Sequence, residues 1–255
     1  MKIIISPAKK LNYEEENGLP TKASEIAFAK ESTTLIKKLK KLKPSEVGDL
    51  MKISAGLADL NYQRYQDWSY PFDPTKSKQA AFAFDGEVYT GLDIRSFNDQ
   101  ELVYAQDNLR ILSGLYGMLK PLDKVLPYRL EMGTKFQTSE SAKNLYQFWG
   151  DQLTKSLTSE MEDDELLLNL ASNEYNKVLD LKSFGDRVIT PVFKEQKGDT
   201  YKVIMVYAKK ARGLMTQYAL KNQVSTLEDI MNFDVDGYQY NVELTAKENQ
   251  PVFTR

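Results

Sequence analysis

A chain of 255 residues without a single cysteine or histidine must do its chemistry with carboxylates, amines, guanidinium groups, hydroxyls and backbone amides. Thiolate nucleophiles, thiol redox switches, Cys-based metal sites and the imidazole proton shuttle are all excluded. An iron site would have to be built from oxygen ligands and would be weak, so no metal and no cofactor is assigned. What remains is a set of cations, hydroxyls and two carboxylates placed just beyond apolar runs. Ser6, Lys9 and Lys10 follow Ile3-Ile4-Ile5, and Asn173, Glu174 and Tyr175 follow the Leu166–Ser172 run LLLNLAS. Polar groups past the end of a buried strand are where open sheets bind ligands.

The densest stretch is Asn108 to Gly133, NLRILSGLYGMLKPLDKVLPYRLEMG, in which Arg110, Lys120, Lys124 and Arg129 interleave with apolar residues. Its Ser113-Gly114-Leu115-Tyr116-Gly117 turn has glycines three apart, which would free backbone N–H groups to face a phosphate. Arg64, beside Asn61 on an otherwise apolar helical face, points into a cleft on this reading. In VIMVYAKKARG a strand runs straight into a helix, which puts Lys209, Lys210 and Arg212 in its first turn. Cations there oppose the helix dipole unless an anion uses charge and amides together. The phosphate contacts expected are therefore Ser6, Lys9, Lys10, Arg64, Ser113, Gly114, Tyr116, Gly117, Lys120, Arg129, Asn173, Lys209, Lys210 and Arg212. If the same set served an enzyme acting on a nucleotide or another phosphate-bearing molecule, Glu131 or Glu174 would carry the proton.

The elements that would position these groups are read from periodicity. Ile3–Ile5 is a short buried strand ended by Pro7. Ser24–Lys43 has helical spacing and ends in KKLKKLK, which reads as a solvated helix face rather than a nucleic-acid patch. Pro44 breaks it, a helix follows through Val47 and Met51, and Ser54–Trp68 continues helically. AFAFDGEVYTGL reads as a hairpin around Asp85-Gly86. Asn98 with Glu101 is a capping box for a helix running to Leu112. Leu145–Leu157 is helical, and Val188–Phe193 and Tyr201–Tyr207 flank a Lys197-Gly198-Asp199 turn as a hairpin. Tyr238–Leu244 alternates like a strand, and Pro251-Val252-Phe253 reads as a last edge strand. The fold class expected is α/β (α+β), one domain over 1–255 with a mixed sheet and flanking helices.

Composition sets outer bounds. With 42% apolar residues the chain can bury a substantial core. A net charge of −2 means that any polyanion binding must come from local segregation of charge. MKIIISPAKK has only a three-residue apolar run, so no signal peptide is expected, and no stretch has the length of a membrane span. The expected chain is a cytoplasmic monomer without a membrane partner.

ISPAKKL, LMKISAGLADLNYQRYQDW, LRILSGLYGMLKPLDKVLPYRLEMG, LYQFWG, NLASNEY and AKKARG, in that order, resemble the YaaA family of bacterial proteins, a likeness that extends from residue 2 to about residue 240. The resemblance implies resistance to hydrogen peroxide, a lowering of available intracellular iron, and DNA binding. It also implies an unusual α/β fold with a basic cleft and a helix-hairpin-helix element. Tested on these residues, ILSGLYG fits the helix end and turn of such an element, placed at about 98–130. Pro121 and Pro127 leave its second helix only about one and a half turns. Binding through such a turn would read phosphates, not bases. The partner expected is duplex DNA, or distorted and partly single-stranded DNA if Tyr116, Tyr128 and Tyr175 stack on open bases.

Overall fold

In the computed structural model, which describes residues 1–14, 20 and 22–255, strand Lys2–Ile5 lies at the centre of a five-stranded sheet. The order across it is Gly117–Leu119, Leu109–Ser113, Lys2–Ile5, Leu167–Asn169, Val188–Ile189. The last four run parallel and Gly117–Leu119 is antiparallel. Parallel strands covered on both faces need unbroken apolar runs. Ile3, Ile4 and Ile5 meet that requirement, with Ile3 opposite Leu109 and Ile5 opposite Ile111.

A second sheet has four strands in the order Thr200–Lys202, Val192–Lys197, Val252–Thr254, Gln239–Tyr240. One buried apolar cluster runs from Met1 to Phe253 and joins the two sheets. The architecture is mixed α/β, as the sequence led us to expect. Among the described residues no helix is long and apolar enough to cross a membrane.

Helix Met205–Lys221 lies across helix Glu87–Leu92 with backbone touching backbone. A Cβ on Gly213 would stand 2.0 Å from the Val88 carbonyl, and one on Gly91 2.3 Å from that of Lys210. Only glycine fits at this crossing. The contact also holds Tyr89 where its hydroxyl donates to the Ser6 carbonyl at 3.1 Å.

Several expectations are corrected. The capping box at Asn98 and Glu101 is present, but its helix stops at Asn108, and Leu109–Ser113 is a fully buried strand paired with Gly117–Leu119. No helix-hairpin-helix element occupies 98–130. Pairing with the central strand overrides the helical spacing of Leu109 and Leu112. AFAFDGEVYTGL is not a hairpin: Ala80–Ala83 is a helical turn, Phe84–Asp85 pairs with Lys10–Leu11, and Gly86 opens helix Glu87–Leu92. The alanines favour helix, and Gly86 approaches Ala8 too closely to carry a side chain comfortably. The turn at Gly198 does join two strands, but helix begins at Met205 instead of continuing the strand to Tyr207. Val252–Thr254 is an inner strand, not an edge.

Loop Lys120–Val125 is tied down by Asp123, which accepts from the Ser24 hydroxyl at 2.6 Å and the Lys120 amide at 2.8 Å. Burial lifts its carboxyl from 3.8 to about 6. A raised carboxyl favours the folded protein most when protonated. That contribution is complete below pH 3.8 and is lost as pH rises through about 6. We expect Asp123→Asn to flatten the fall in stability across this window, on the order of 2–3 kcal/mol, when urea midpoints are followed from pH 4 to pH 7.

Candidate functional site

Winding from Lys2–Ile5 proceeds to Leu109–Ser113 on one side, whereas winding from Leu167–Asn169 proceeds to Val188–Ile189 on the other. Connections leaving two adjacent strands in opposite directions open a crevice at their carboxyl ends, where sheets of this kind bind ligands. Here those ends carry Ser6 and Ser172. The Ser172 amide donates to Ser6 Oγ at 2.9 Å and the two hydroxyls lie 3.3 Å apart. Ser6 therefore joins the strands: its O–H is given to Ser172 Oγ and one lone pair to the Ser172 amide, which leaves no proton for a phosphate.

Segment Tyr128–Gly133 passes over this junction and supplies the charges. Arg129 Nη2 donates to Glu131 Oε1 at 2.8 Å, and Lys9 Nζ reaches the same oxygen at 3.3 Å. The Arg129 and Glu131 side chains are 17% and 14% exposed, so both are largely withdrawn from water, whereas Lys9 is 68% exposed at the rim. Arg129 Nε is buried and has no hydrogen-bond partner among the described residues. A cavity of about 10 Å³, enough for one water, is lined here by Pro7, Ala8, Lys9, Tyr128–Glu131 and Tyr175. Glu174, on the short helix Asn173–Asn176, accepts from the Gly133 amide at 3.0 Å and so holds the far end of the segment.

The segment is fixed from three sides. Gly114 lies so close beneath it that a Cβ would stand 2.2 Å from the Leu130 carbonyl. Ser113 Oγ and the Tyr128 hydroxyl are 2.6 Å apart. The Tyr65 hydroxyl, on helix Ala55–Asp67, donates to the Arg129 carbonyl. Burial raises the pKa of Tyr65, Tyr128 and Tyr175, keeping all three hydroxyls neutral beneath the charges.

Of the residues expected from sequence, Ser6, Lys9, Arg129, Glu131 and Glu174 gather here, with exposed Asn173 at the margin. Arg64 is half-buried, makes no hydrogen bond or ion pair among the described residues, and has its pKa lowered by burial. Burial raises the pKa of Tyr65, and the charges of Arg129 and Arg64 both act against that rise.

The other expected contacts do not join this group. The Gly114 turn is a correction: Ser113, Gly114, Tyr116 and Gly117 are buried. The Tyr116 amide is taken by Ser113 Oγ at 3.0 Å, so the turn does not face outward as a phosphate cradle. Tyr116 cannot stack on a base either, because its hydroxyl is enclosed by Trp68 and Leu126. Lys120 is half-buried with its amide on Asp123, and Lys10 pairs with Asp85 at 2.5 Å. Lys209, Lys210 and Arg212 lie past the first turn of a helix that begins at Met205, which removes the helix-terminus argument for them. Lys210 pairs with Asp236 at 3.3 Å, and burial lowers the pKa of Arg212.

A wider concavity, about 610 Å³, lies elsewhere, between helices Pro44–Met51 and Ala55–Asp67. Sequence reasoning assigned no site there. Its lining carries Asp49 and Asp59 against Lys52, a poor balance for an anion inside the groove. Its outer lip differs: Ser54 makes no side-chain cap, and Ser54–Leu57 are all exposed. The signal in sequence was Ser54-Ala55-Gly56, a helix start without bulk.

Comparison with known proteins gives one consistent family. The profile described as "Peroxide stress protein YaaA" matches residues 1–244. A UPF0246 protein of Flavobacterium johnsoniae is 50% identical over 256 residues, covering 100% of both chains. A UPF0246 protein of Colwellia psychrerythraea is 49% identical over 258 residues, covering 100% of this chain and 99% of the relative. One from Hahella chejuensis is 50% identical over 248 residues, 96% of each chain.

Because Gly114 meets backbone and not a movable side chain, Gly114→Ala must displace the Tyr128–Gly133 segment. We expect a loss of roughly 2–4 kcal/mol in urea unfolding, well above that of an ordinary surface substitution.

Proposed function

Since this chain belongs to the peroxide stress protein YaaA family, we propose that it contributes to resistance to hydrogen peroxide as a sequence-nonspecific DNA-binding protein. The observation that supports this reading is helix Ala55–Asp67, which offers a phosphate contact at each end. Its amino end is exposed, lacks a side-chain cap and follows Lys52, so first-turn amides and the helix dipole face an incoming anion. Near its other end Tyr65 holds the loop that bears Arg129, beside Lys9. At 1.5 Å per residue these ends are roughly 14 Å apart, a distance over which one nucleic-acid backbone can meet both. The crevice at Lys9 and Arg129 supplies the second of these phosphate contacts. Contacts of this type read phosphates and leave the bases unread. With no thiol available, protection comes from shielding DNA, and any lowering of free iron is an indirect result.

A second reading, an enzyme acting on a nucleotide or another phosphate-bearing small molecule in the same crevice, is favoured by Glu131 and Glu174 both bordering it. On that reading Glu174→Gln leaves DNA affinity nearly intact yet abolishes peroxide protection in cells. Retained protection removes Glu174 as a proton carrier.

The DNA reading is tested by fluorescence anisotropy on covalently closed duplexes. Affinity should fall at least about tenfold between about 50 and 200 mM salt for any sequence. Gly56→Asp is the informative variant. A Cβ there meets nothing within 4 Å, and an acidic group in the first turn favours the helix. Stability should hold or rise while affinity drops about tenfold on all sequences alike. A flat salt response, or undiminished binding by this variant, would count against the reading.

A further inference from the structure

We propose that the pocket above the Ser6–Ser172 junction takes the terminal phosphate of a phosphomonoester, and that the Glu131 carboxylate stands in its place. The proposal rests on the crevice being a phosphate site: a backbone diester meets only its rim, at exposed Lys9, whereas the pocket behind it, at Arg129, takes the terminal group.

Three observations carry it. The first is the guanidinium edge of Arg129. Nε and Nη2 share one edge, the fork that matches two oxygens of a phosphate or carboxylate. Glu131 uses only Nη2, through one oxygen, while the Nε proton is buried and unpartnered among the described residues. An anion bonded to both donors satisfies what Glu131 leaves open, and the cost of an orphaned buried donor is removed.

The second is charge. Lys9 and Arg129 both aim at Oε1 of Glu131, two cations on a single monoanion. When Glu131, 14% exposed and close to the rim, turns outward, both cations face the incoming group. A phosphomonoester dianion balances them, whereas an internal phosphodiester carries one charge and leaves one cation unmatched.

The third is shape. With about 10 Å³ free, the pocket admits a phosphate only if the carboxylate vacates it. Buried Tyr128 and Tyr175 line it together with Pro7, Ala8 and Leu130. A terminal phosphate brings three unesterified oxygens to the Arg129 and Lys9 donors, whereas a diester inside a continuous chain brings two.

The shared chemistry has two sources, a free 5′-mononucleotide or the phosphorylated end of a DNA strand. Calorimetric titration with methyl phosphate and dimethyl phosphate tests the ligand class. Wild-type protein should bind the monoester at least about tenfold more tightly than the diester. Glu131→Gln, which removes the internal competitor's charge, should tighten monoester binding by about threefold to tenfold, and Arg129→Gln should weaken it by about tenfold or more. Should Arg129→Gln not fold, the exposed Lys9→Ala serves in its place.

Equal binding of the two esters, or unchanged or weaker monoester binding by Glu131→Gln, overturns the proposal. Duplexes with 5′-phosphate and 5′-hydroxyl ends then separate the sources. A preference for the phosphorylated end identifies the strand terminus, and mononucleotide binding without that preference identifies the free nucleotide. Either result supports a terminal-phosphate pocket. Covalently closed DNA has no ends, so loss of the general DNA reading and loss of this one register in different experiments.

Discussion

The close meeting of the Gly114 backbone with the Leu130 carbonyl sets the height at which segment Tyr128–Gly133 lies at the carboxyl end of the parallel sheet. No side chain fits between them, so the Tyr128–Gly133 segment rests on the strand turn with nothing intervening. Ser113 reaches up to Tyr128, Tyr65 reaches across to the Arg129 carbonyl, and Glu174 receives the Gly133 amide. An irregular segment held this way has little conformational freedom left to lose when it meets a ligand, which is the physical content of preorganisation.

Neutral tyrosines under the segment give its charges their setting. Tyr65, Tyr128 and Tyr175 are buried and stay protonated, so Arg129 and Glu131 interact above a floor that contributes dipoles but no net charge. Coulomb attraction is weakly screened where water is scarce. The Arg129–Glu131 pair is accordingly a stronger contact than exposed pairs such as Lys155–Asp151, whose side chains are 75% and 68% exposed.

Much of this was legible in the sequence where local signals agreed with tertiary context. The Ile3–Ile5 strand, the strand at Leu167–Asn169, the Asn98 capping box and the mixed α/β class all follow from apolar runs and capping chemistry. Ser6, Lys9, Arg129, Glu131 and Glu174 could be placed near one another because each follows a strand or borders the dense central stretch. What failed did so for identifiable reasons. Leu109 and Leu112 have helical spacing, yet an empty slot beside a parallel strand recruits them as sheet. The glycines at 114 and 117 looked like an anion cradle because glycine serves open turns and close packing equally well. Lys209–Arg212 looked like a helix start because Val203–Tyr207 is apolar and β-branched in part, and only the structure reveals that the helix begins at Met205. The open helix start at Ser54–Leu57 carries no charge pattern to announce it.

The Ser6–Ser172 junction has a further consequence for how such a protein can change. Because the Ser6 hydroxyl is spent on Ser172 at the point where the strands diverge, the sheet itself offers an incoming molecule little vocabulary. The charges at this seam come instead from Lys9 and from the irregular segment Tyr128–Gly133. Exchanging the charged Arg129 and Glu131 alone, while Tyr128, Leu130 and Met132 keep their places in the core, would alter what the crevice can hold and leave the parallel sheet beneath to fold as before.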